Sequence, residues 1–373
     1  MKTRDPVWVR PHARSTASTP RLASAPRRVL VKEVNWLGDI VISLPALKAI
    51  RRALPDAHLS VLVKEEFASF FDGAGWVDEV IGYRVSRGPR GLVDRGLIIE
   101  GIRNRKHDLA VLFPNSFESA LWAVLGGVTS RAGFARDMRG LLLTHRTTPS
   151  AEVMRAHQVH YYLEMLRETL GIEGDADDYA LDVHEPHRIN VRQWLAERRR
   201  RPHGRLFVLA PAAAYGPAKE WPADHYAALI DLLDIHEGAE CVLAGAPAER
   251  AKCEQIAAAS KSGAIVGAGE QNIGELIALL SIADGFAGND SGCMHLAGAL
   301  GIPTVGIFGS TSPARTAPLG RRSKVIYRQI ECSPCLARTC RYGHYRCLTE
   351  IGAEEVARSL EQLADWPIID ELA

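Results

Sequence analysis

The feature that most constrains the fold of this chain is a regular alternation of short apolar segments with segments of helical period. Apolar runs such as RVLVKEV (28–34), HLSVLVK (58–64) and DLAVLFP (108–114) predict strands, and residues 40–54 repeat apolar side chains at a helical spacing. Strands that alternate with helices build parallel sheets with both faces covered. The sequence therefore predicts an α/β fold with doubly wound parallel sheets.

The alternation is interrupted once, around residues 174–203, where an acidic irregular stretch precedes a basic helix and turn. A second series of strands and helices starts at LFVLAP (206–211). We therefore predict two Rossmann-like halves that face a cleft, with ligands bound beyond the carboxyl ends of the strands. The predicted boundaries are a disordered basic tail over 1–28, a first domain over 29–185, a linker over 186–203 and a second domain over 204–373.

Composition narrows the function classes. The chain has 45 basic and 44 acidic residues, so its overall charge does not predict a nucleic-acid partner. No apolar run approaches the roughly 18–20 residues of a membrane span. The tail over 1–28 is basic and lacks the apolar segment of a secretory signal, which predicts a cytoplasmic protein. This tail either is merely solvated or is attracted weakly to an anionic membrane surface.

The segment GNDSGCMHLAGALGIPTVGIFGSTSP (288–313) predicts a strand, a helix that begins at 291–292, and a second strand. The N-terminus of a helix directs free N–H groups and its positive dipole end at the preceding loop, where a diphosphate can bind. Asp290, Ser291 and His295 add polar groups there. The alternative interpretation is an ordinary strand-to-helix turn capped by Asp or Ser.

Two charged side chains follow strands in the same way. Asp39 lies at a strand-to-helix turn, where it is either a helix cap or a carboxylate that removes a proton from an acceptor hydroxyl. Lys219 follows the first strand of the second half, where it is either a solvated lysine or an ammonium that neutralises a leaving diphosphate. The chain lacks a complete G-x-G-x-x-G, a P-loop and a G-x-S-x-G elbow, which argues against the corresponding enzyme classes.

Four of the seven cysteines fall close together, with the spacing C-x₂-C-x₄-C-x₆-C: Cys332, Cys335, Cys340 and Cys347. Four thiolates can hold a tetrahedral zinc ion. Three interpretations stay open: a structural metal site, disulfide or redox pairing, and a plain thiol cluster. The cluster is not assigned to catalysis.

Four segments in this order, NWLGDIVISLPAL, YGPAKEWP, the 288–313 segment and the CSPC…C…GHYRC cluster, resemble glycosyltransferase family 9. These enzymes are the ADP-heptose:lipopolysaccharide heptosyltransferases, and the similarity is greatest to the heptosyltransferase II branch. The resemblance extends from about residue 29 to the end. It implies a two-domain GT-B fold, inversion of the anomeric centre, and no cofactor or metal in catalysis.

The resemblance also implies roles for individual residues. Asp39 matches the base that activates the acceptor, and Lys219 matches the lysine at the donor phosphates. The first domain would hold an anionic glycolipid acceptor and the second an ADP-heptose donor. The residues that match the donor motif or its following loop are Asp290, Ser291, Gly292, His295, Thr311 and Ser312.

For the acceptor, we assign basic residues of the first domain, each of which is otherwise an ordinary surface side chain: Arg131, Arg136, Arg139, His157 and His160. The predicted function is heptose transfer from ADP-L-glycero-β-D-manno-heptose to the lipopolysaccharide inner core. One alternative is a family 9 enzyme with another nucleotide sugar or glycan. A second is a non-catalytic protein that binds a nucleotide or sugar.

Overall fold

The structure is a computed structural model that describes residues 25–364. Residue contacts divide the chain into two compact units, Met1–Tyr179 and Ala180–Ala373. Most of the predicted basic tail, residues 1–24, lies outside the described residues. The end of that tail is ordered, because Arg28 already belongs to the first strand.

The described part of the first unit contains six strands: β1 (Arg28–Lys32), β2 (His58–Lys64), β3 (Glu79–Tyr83), β4 (Leu109–Leu112), β5 (Ser130–Phe134) and β6 (His145–Thr147). Its α-helices are α1 (Leu37–Ala53), α2 (Arg90–Arg105), α3 (Phe117–Leu125) and α4 (Gln158–Leu170). Short 3₁₀ helices cover Glu65–Phe71 and Arg139–Leu142.

All strands of the first sheet are parallel, in the order β3-β2-β1-β4-β5-β6. The central strand β1 is apolar on both faces because helices cover both, and Val29, Leu30 and Val31 are almost fully buried. Since β1 and β4 are neighbours in the sheet, the loops at their carboxyl ends are neighbours too. Asp39 lies in the first turn of α1, which follows β1 after a short loop.

The second unit also contains six strands: β7 (Leu206–Ala210), β8 (Glu240–Leu243), β9 (Ile265–Val266), β10 (Gly285–Asn289), β11 (Thr304–Phe308) and β12 (Ser323–Tyr327). Its α-helices are α5 (Glu185–Ala196), α6 (Ala223–Glu237), α7 (Arg250–Ala259), α8 (Ile273–Ser281), α9 (Gly292–Ala299), α10 (Pro313–Thr316), α11 (Arg346–Thr349) and α12 (Ala353–Ala364). Short 3₁₀ helices cover Pro217–Lys219 and Pro247–Glu249.

The second sheet is again parallel, in the order β12-β11-β10-β7-β8-β9. Its core includes Trp221, Tyr226 and Leu348, all fully buried. The central neighbours β7, β10 and β11 end beside one another, so the loops that carry Lys219, Asp290 and Thr311 meet at one edge. The prediction of two doubly wound α/β halves is confirmed.

Some elements differ from those predicted. β5 contains Arg131 and Gly133, and β6 has three residues, so neither shows the apolar run by which strands are recognised. Most of the segment predicted as a linker, 186–203, forms α5, which packs on α8; Trp194 Nε1 donates to Glu270 Oε2 at 2.7 Å. In residues 25–364, no helix has the length and apolarity needed to cross a membrane.

Candidate active site

The centre of the second unit's candidate site is an ion pair between the buried Asp290 and the half-buried Lys219, which are 71 residues apart in the chain. Lys219 Nζ donates to Asp290 Oδ2 at 2.5 Å and to the Asp290 carbonyl at 3.3 Å. Thr311 Oγ1 donates to the same carboxylate oxygen at 2.6 Å. His295 Nε2 lies 3.8 Å from Asp290 Oδ1. The structure thus brings together four of the residues predicted for the donor side.

Lys219 reaches Asp290 because hydrogen bonds hold the Lys219 loop against the end of β10. The backbone N–H of Trp221 donates to Asn289 Oδ1 at 2.9 Å, and Tyr226 Oη donates to the same oxygen at 3.2 Å. Asn289 is the last residue of β10, so it fixes the Lys219 loop to the strand that presents Asp290. Trp221 itself is anchored through Nε1 to the Ile351 carbonyl at 2.9 Å.

The charge of this pair is set by its surroundings. Burial favours the neutral form of Asp290, but the nearby His295 ring and the charge of Lys219 outweigh it and lower the pKa of Asp290 to about 2. Asp290 is therefore a carboxylate at neutral pH. The Lys219 side chain is 14% exposed, whereas that of Asp290 is 4% exposed.

Polar groups without partners surround the start of α9. This helix begins at Gly292, and its N-cap residue, Ser291, makes no side-chain cap bond. Among the described residues, the buried hydroxyls of Ser291 and Ser310 have no hydrogen-bond partner. Ser312 is the half-buried N-cap of α10 and makes no cap bond either. Uncapped N–H groups and unpaired hydroxyls suit an anionic ligand, and the interpretation as a side-chain-capped turn fails at Ser291.

In the first unit, Asp39 lies in the first turn of α1, and it is not the N-cap. The N-cap is Trp36, whose side chain makes no cap bond. Gln158, the first residue of α4, donates through Nε2 to Asp39 Oδ1 at 3.1 Å and to Tyr162 Oη at 3.1 Å. The carboxylate is half-buried and oriented by a neighbouring helix, as a general base must be.

Two buried charged residues near Asp39 were not singled out in the sequence. Glu33 is fully buried; Ser43 Oγ donates to its Oε2 at 3.0 Å, while Oε1 has no partner among the described residues. Burial raises the pKa of Glu33 to about 7, and the charge of Asp39 adds to this. Burial lowers the pKa of the adjacent Lys32 to about 7. The sequence feature that could have revealed both residues was the charged dipeptide Lys32-Glu33 within the apolar run that follows Arg28.

Two of the arginines assigned to the acceptor have structural contacts instead. Arg139 is fully buried; it donates to the carbonyls of Phe134 at 2.9 Å, Leu112 at 3.2 Å and Pro114. Burial lowers the pKa of Arg139 to about 10. This guanidinium satisfies main-chain oxygens where β4 and β5 end, so its assignment to the acceptor is corrected.

Arg131 stands near the start of β5, at the end of the strand opposite to its carboxyl end. Its Nε donates to the Leu142 carbonyl at 2.6 Å, and Nη1 donates to the carbonyls of Thr129, at 3.1 Å, and Val128. These bonds join the start of β5 to the end of the loop that follows the strand. The structure therefore places Arg131 away from the edge at which Asp39 follows β1.

The other three acceptor assignments stay predictions. Arg136 is exposed after the carboxyl end of β5, and its Nη1 lies 3.5 Å from Met154 Sδ. His157 is the buried N-cap of α4, where Nδ1 accepts from the Val159 N–H at 3.3 Å. His160 is half-buried in the first turn of the same helix. His157 thus has a structural task that its sequence position did not reveal.

All four clustered cysteines are free thiols in the structure. Backbone N–H groups, first that of Tyr345 and then those of residues 342–344, bond to Cys340 and lower its pKa. Burial raises the pKa of Cys347 to about 11, and charge on the other three thiols adds to this effect. Within residues 25–364, however, no three of these sulfur atoms lie within 4.8 Å of each other.

Comparison with known proteins gives the family. Residues 95–346 match the model of "Glycosyltransferase family 9 (heptosyltransferase)". Lipopolysaccharide heptosyltransferase 2 of Escherichia coli is 27% identical over 347 residues, covering 90% of this chain and 98% of that protein. The structure of E. coli ADP-heptose lps heptosyltransferase II is similar with a TM-score of 0.77 and 25% identity, covering 90% and 98% of the two chains.

The fold of a third protein, E. coli heptosyltransferase WaaC with ADP, matches at a TM-score of 0.69 and 21% identity, over 90% of this chain and 99% of that one. These likenesses confirm the GT-B fold predicted from the sequence. The family match covers more than half of the chain. The chain is therefore a glycosyltransferase and belongs to glycosyltransferase family 9, the heptosyltransferase family.

Proposed function

We propose that this enzyme transfers heptose from ADP-L-glycero-β-D-manno-heptose to the lipopolysaccharide inner core, with inversion at the anomeric carbon. The observation that carries the proposal is the Lys219–Asp290 pair beside the uncapped N-terminus of α9. It is supported by relatives whose names describe lipopolysaccharide heptose transfer.

On the donor side, cleavage of the sugar–phosphate bond leaves negative charge on ADP. Lys219 and the free N–H groups at the start of α9 are preorganised to stabilise that charge. Asp290 holds the ammonium in place with a salt bridge, and Thr311 donates to the same carboxylate oxygen. Ser291 and Ser310 supply hydroxyls that a phosphate oxygen would satisfy. No metal ion is needed for these steps.

On the acceptor side, Asp39 removes the proton of the attacking hydroxyl as the new glycosidic bond forms. Gln158 keeps the carboxylate oriented during attack. General-base assistance of this kind contributes roughly 10²–10⁴ in rate. Attack from the face opposite to the departing ADP inverts the anomeric configuration.

The test is turnover of ADP-heptose with a purified inner-core acceptor, measured by the release of ADP. We expect Asp39→Asn to lower kcat at least ~100-fold while ADP affinity stays within about twofold of the parent enzyme. Asp56→Asn, at an exposed carboxyl in the same unit, is the matched control. Undiminished turnover in Asp39→Asn would reject the assignment of the base.

The rival functions give different results in a thermal-shift screen with ADP, UDP, GDP and NAD. The proposal expects stabilisation by ADP alone. Stabilisation by UDP or GDP would indicate a family 9 enzyme with another nucleotide sugar. Binding of ADP without turnover, unaffected by Asp39→Asn, would indicate a non-catalytic binding protein.

The segment that carries the four clustered cysteines, residues 332–347 (the cysteine segment), is proposed to bind a structural zinc ion outside catalysis. The donor set fits in its chemistry, because four thiolates can hold a tetrahedral zinc ion and backbone N–H groups stabilise a thiolate at Cys340. Binding would draw the sulfur atoms to about 3.8 Å from each other, given Zn–S bonds of about 2.3 Å. One equivalent of zinc by elemental analysis, lost in Cys335→Ser, is the expected result. A metal-free protein whose four thiols all react with a thiol reagent would refute it.

The enzyme is proposed to act in the cytoplasm and to touch the anionic inner face of the membrane, where a glycolipid acceptor resides. The helix α2 exposes Leu92, Val93 and Leu97, and exposed Arg90 and Arg103 flank them. Apolar residues bordered by basic ones favour an anionic lipid surface. Flotation with vesicles of anionic lipid, reduced in Leu92→Ser/Leu97→Ser but unchanged in Ile235→Ser, tests this contact.

A further inference from the structure

The cysteine segment is joined to the loop that carries Lys219, although the two are far apart in sequence. The Ala218 N–H donates to the Arg338 carbonyl at 3.0 Å, and Tyr215 Oη donates to the Leu336 carbonyl at 2.6 Å. The Leu336 N–H in turn donates to the Ser310 carbonyl at 2.8 Å. The segment between Cys335 and Cys340 is therefore a wall of the donor site.

This wall places a second cation near the first. The Arg338 guanidinium carbon lies 5.2 Å from the centroid of the Tyr215 ring, and Lys219 Nζ lies 4.9 Å from the same centroid. Both cations therefore stack on one aromatic ring. The charge of Lys219 is matched by Asp290, whereas the exposed Arg338 has no ion pair among the described residues.

The main chain of Arg338 is held by a close approach that only glycine permits. Gly216 has a φ of 141°, in a region that side chains disfavour. A Cβ on Gly216 would lie 2.6 Å from the Arg338 carbonyl oxygen. Together with the Ala218 bond, this contact fixes where the Arg338 side chain leaves the backbone.

We propose that Arg338 binds the diphosphate of the nucleotide sugar, as a second cation beside Lys219. A guanidinium offers paired N–H donors that match two phosphate oxygens, which an ammonium cannot do. A diphosphate bound by both cations would give Arg338 the counter-charge that it lacks. The inference rests on the proposed function only in taking a nucleoside diphosphate as the donor.

The test is calorimetric titration of the full-length protein with ADP and with adenosine. We expect Arg338→Gln to weaken ADP about tenfold and to leave adenosine unchanged, because the contact is with phosphate. Arg338→Lys should retain part of the affinity, since it keeps the charge and loses the paired donors. The matched control is Arg341→Gln, which removes an equal charge from an exposed residue of the same segment and should leave ADP affinity within about twofold.

The outcomes separate this inference from the proposed function. If the parent protein binds ADP and depends on Lys219, but Arg338→Gln behaves like Arg341→Gln, Arg338 has no role with the diphosphate. A loss of adenosine binding equal to the loss of ADP binding would also overturn the inference, because it indicates general damage to the site. A parent protein that binds no ADP would instead reject the proposed function.

Discussion

Asp290→Asn probes the ion pair between Lys219 and Asp290, at the centre of the proposed donor site. Asp290 is 4% exposed, and its pKa is lowered from the ordinary 3.8 to about 2. At about 1.4 kcal/mol per tenfold change in proton affinity, ionised Asp290 adds about 2 kcal/mol to the free energy of unfolding at pH 7. Because the folded pKa is the lower one, this contribution is present above pH 3.8 and falls to about 1 kcal/mol at pH 3.

The substitution removes this pH-dependent contribution and leaves Lys219 without its counter-charge at every pH. We therefore expect the parent protein to exceed Asp290→Asn in free energy of unfolding by about 1 kcal/mol more at pH 7 than at pH 3. Urea unfolding followed by tryptophan fluorescence, at pH 7, 5, 4 and 3, measures this difference. Glu331→Gln, at an exposed carboxyl of the same unit, is the control. A difference that is equal at pH 7 and pH 3 would refute the reasoning.

Three further changes test the remaining contacts. Lys219→Met should weaken ADP binding and lower kcat by ~10²–10³. The control Lys252→Met, at a lysine paired with Glu220, should change neither quantity. Equal ADP affinities and rates in the two variants would show that Lys219 is an ordinary surface lysine. Gln158→Leu should lower kcat about tenfold at constant donor KM, and should have no added effect in Asp39→Asn; additive losses would show that Gln158 does not act through Asp39. For Glu33→Gln, the melting temperature of the variant minus that of the parent should increase as the pH rises from 5 to 8. The raised pKa of Glu33 means that the parent loses stability as the pH rises from 4.5 through about 7, and a constant difference would contradict this.

The sequence was sufficient for the fold where apolar runs were long, as in β2, predicted over 58–64 and found as His58–Lys64. It was insufficient for β5, where Arg131 lies inside the strand and bonds its guanidinium to carbonyls. A charged residue in a short strand looks like a surface loop until its partners are known. The same reason explains Arg139, whose partners at residues 112, 114 and 134 come together only in the folded sheet.

The meeting of Lys219, Asp290 and Thr311 was predictable because each follows a strand that ends at the same edge of a parallel sheet. The contacts of the cysteine segment were not, because Leu336 and Arg338 reach the Tyr215 loop through main-chain atoms. Main-chain hydrogen bonds leave almost no trace in side-chain identity. Here Gly216 was the trace, and its meaning depends on a neighbour 122 residues away, Arg338.

The way in which β10, the Lys219 loop and residues 336–338 are bonded has a consequence for biosynthesis. A polypeptide still being translated can form these contacts only after residue 338 has left the ribosome, because Leu336 and Arg338 bond to the Lys219 loop. ADP binding should then require that the second unit has been translated at least to residue 338. We expect an ADP affinity resin not to retain ribosome-stalled chains that are truncated before residue 336.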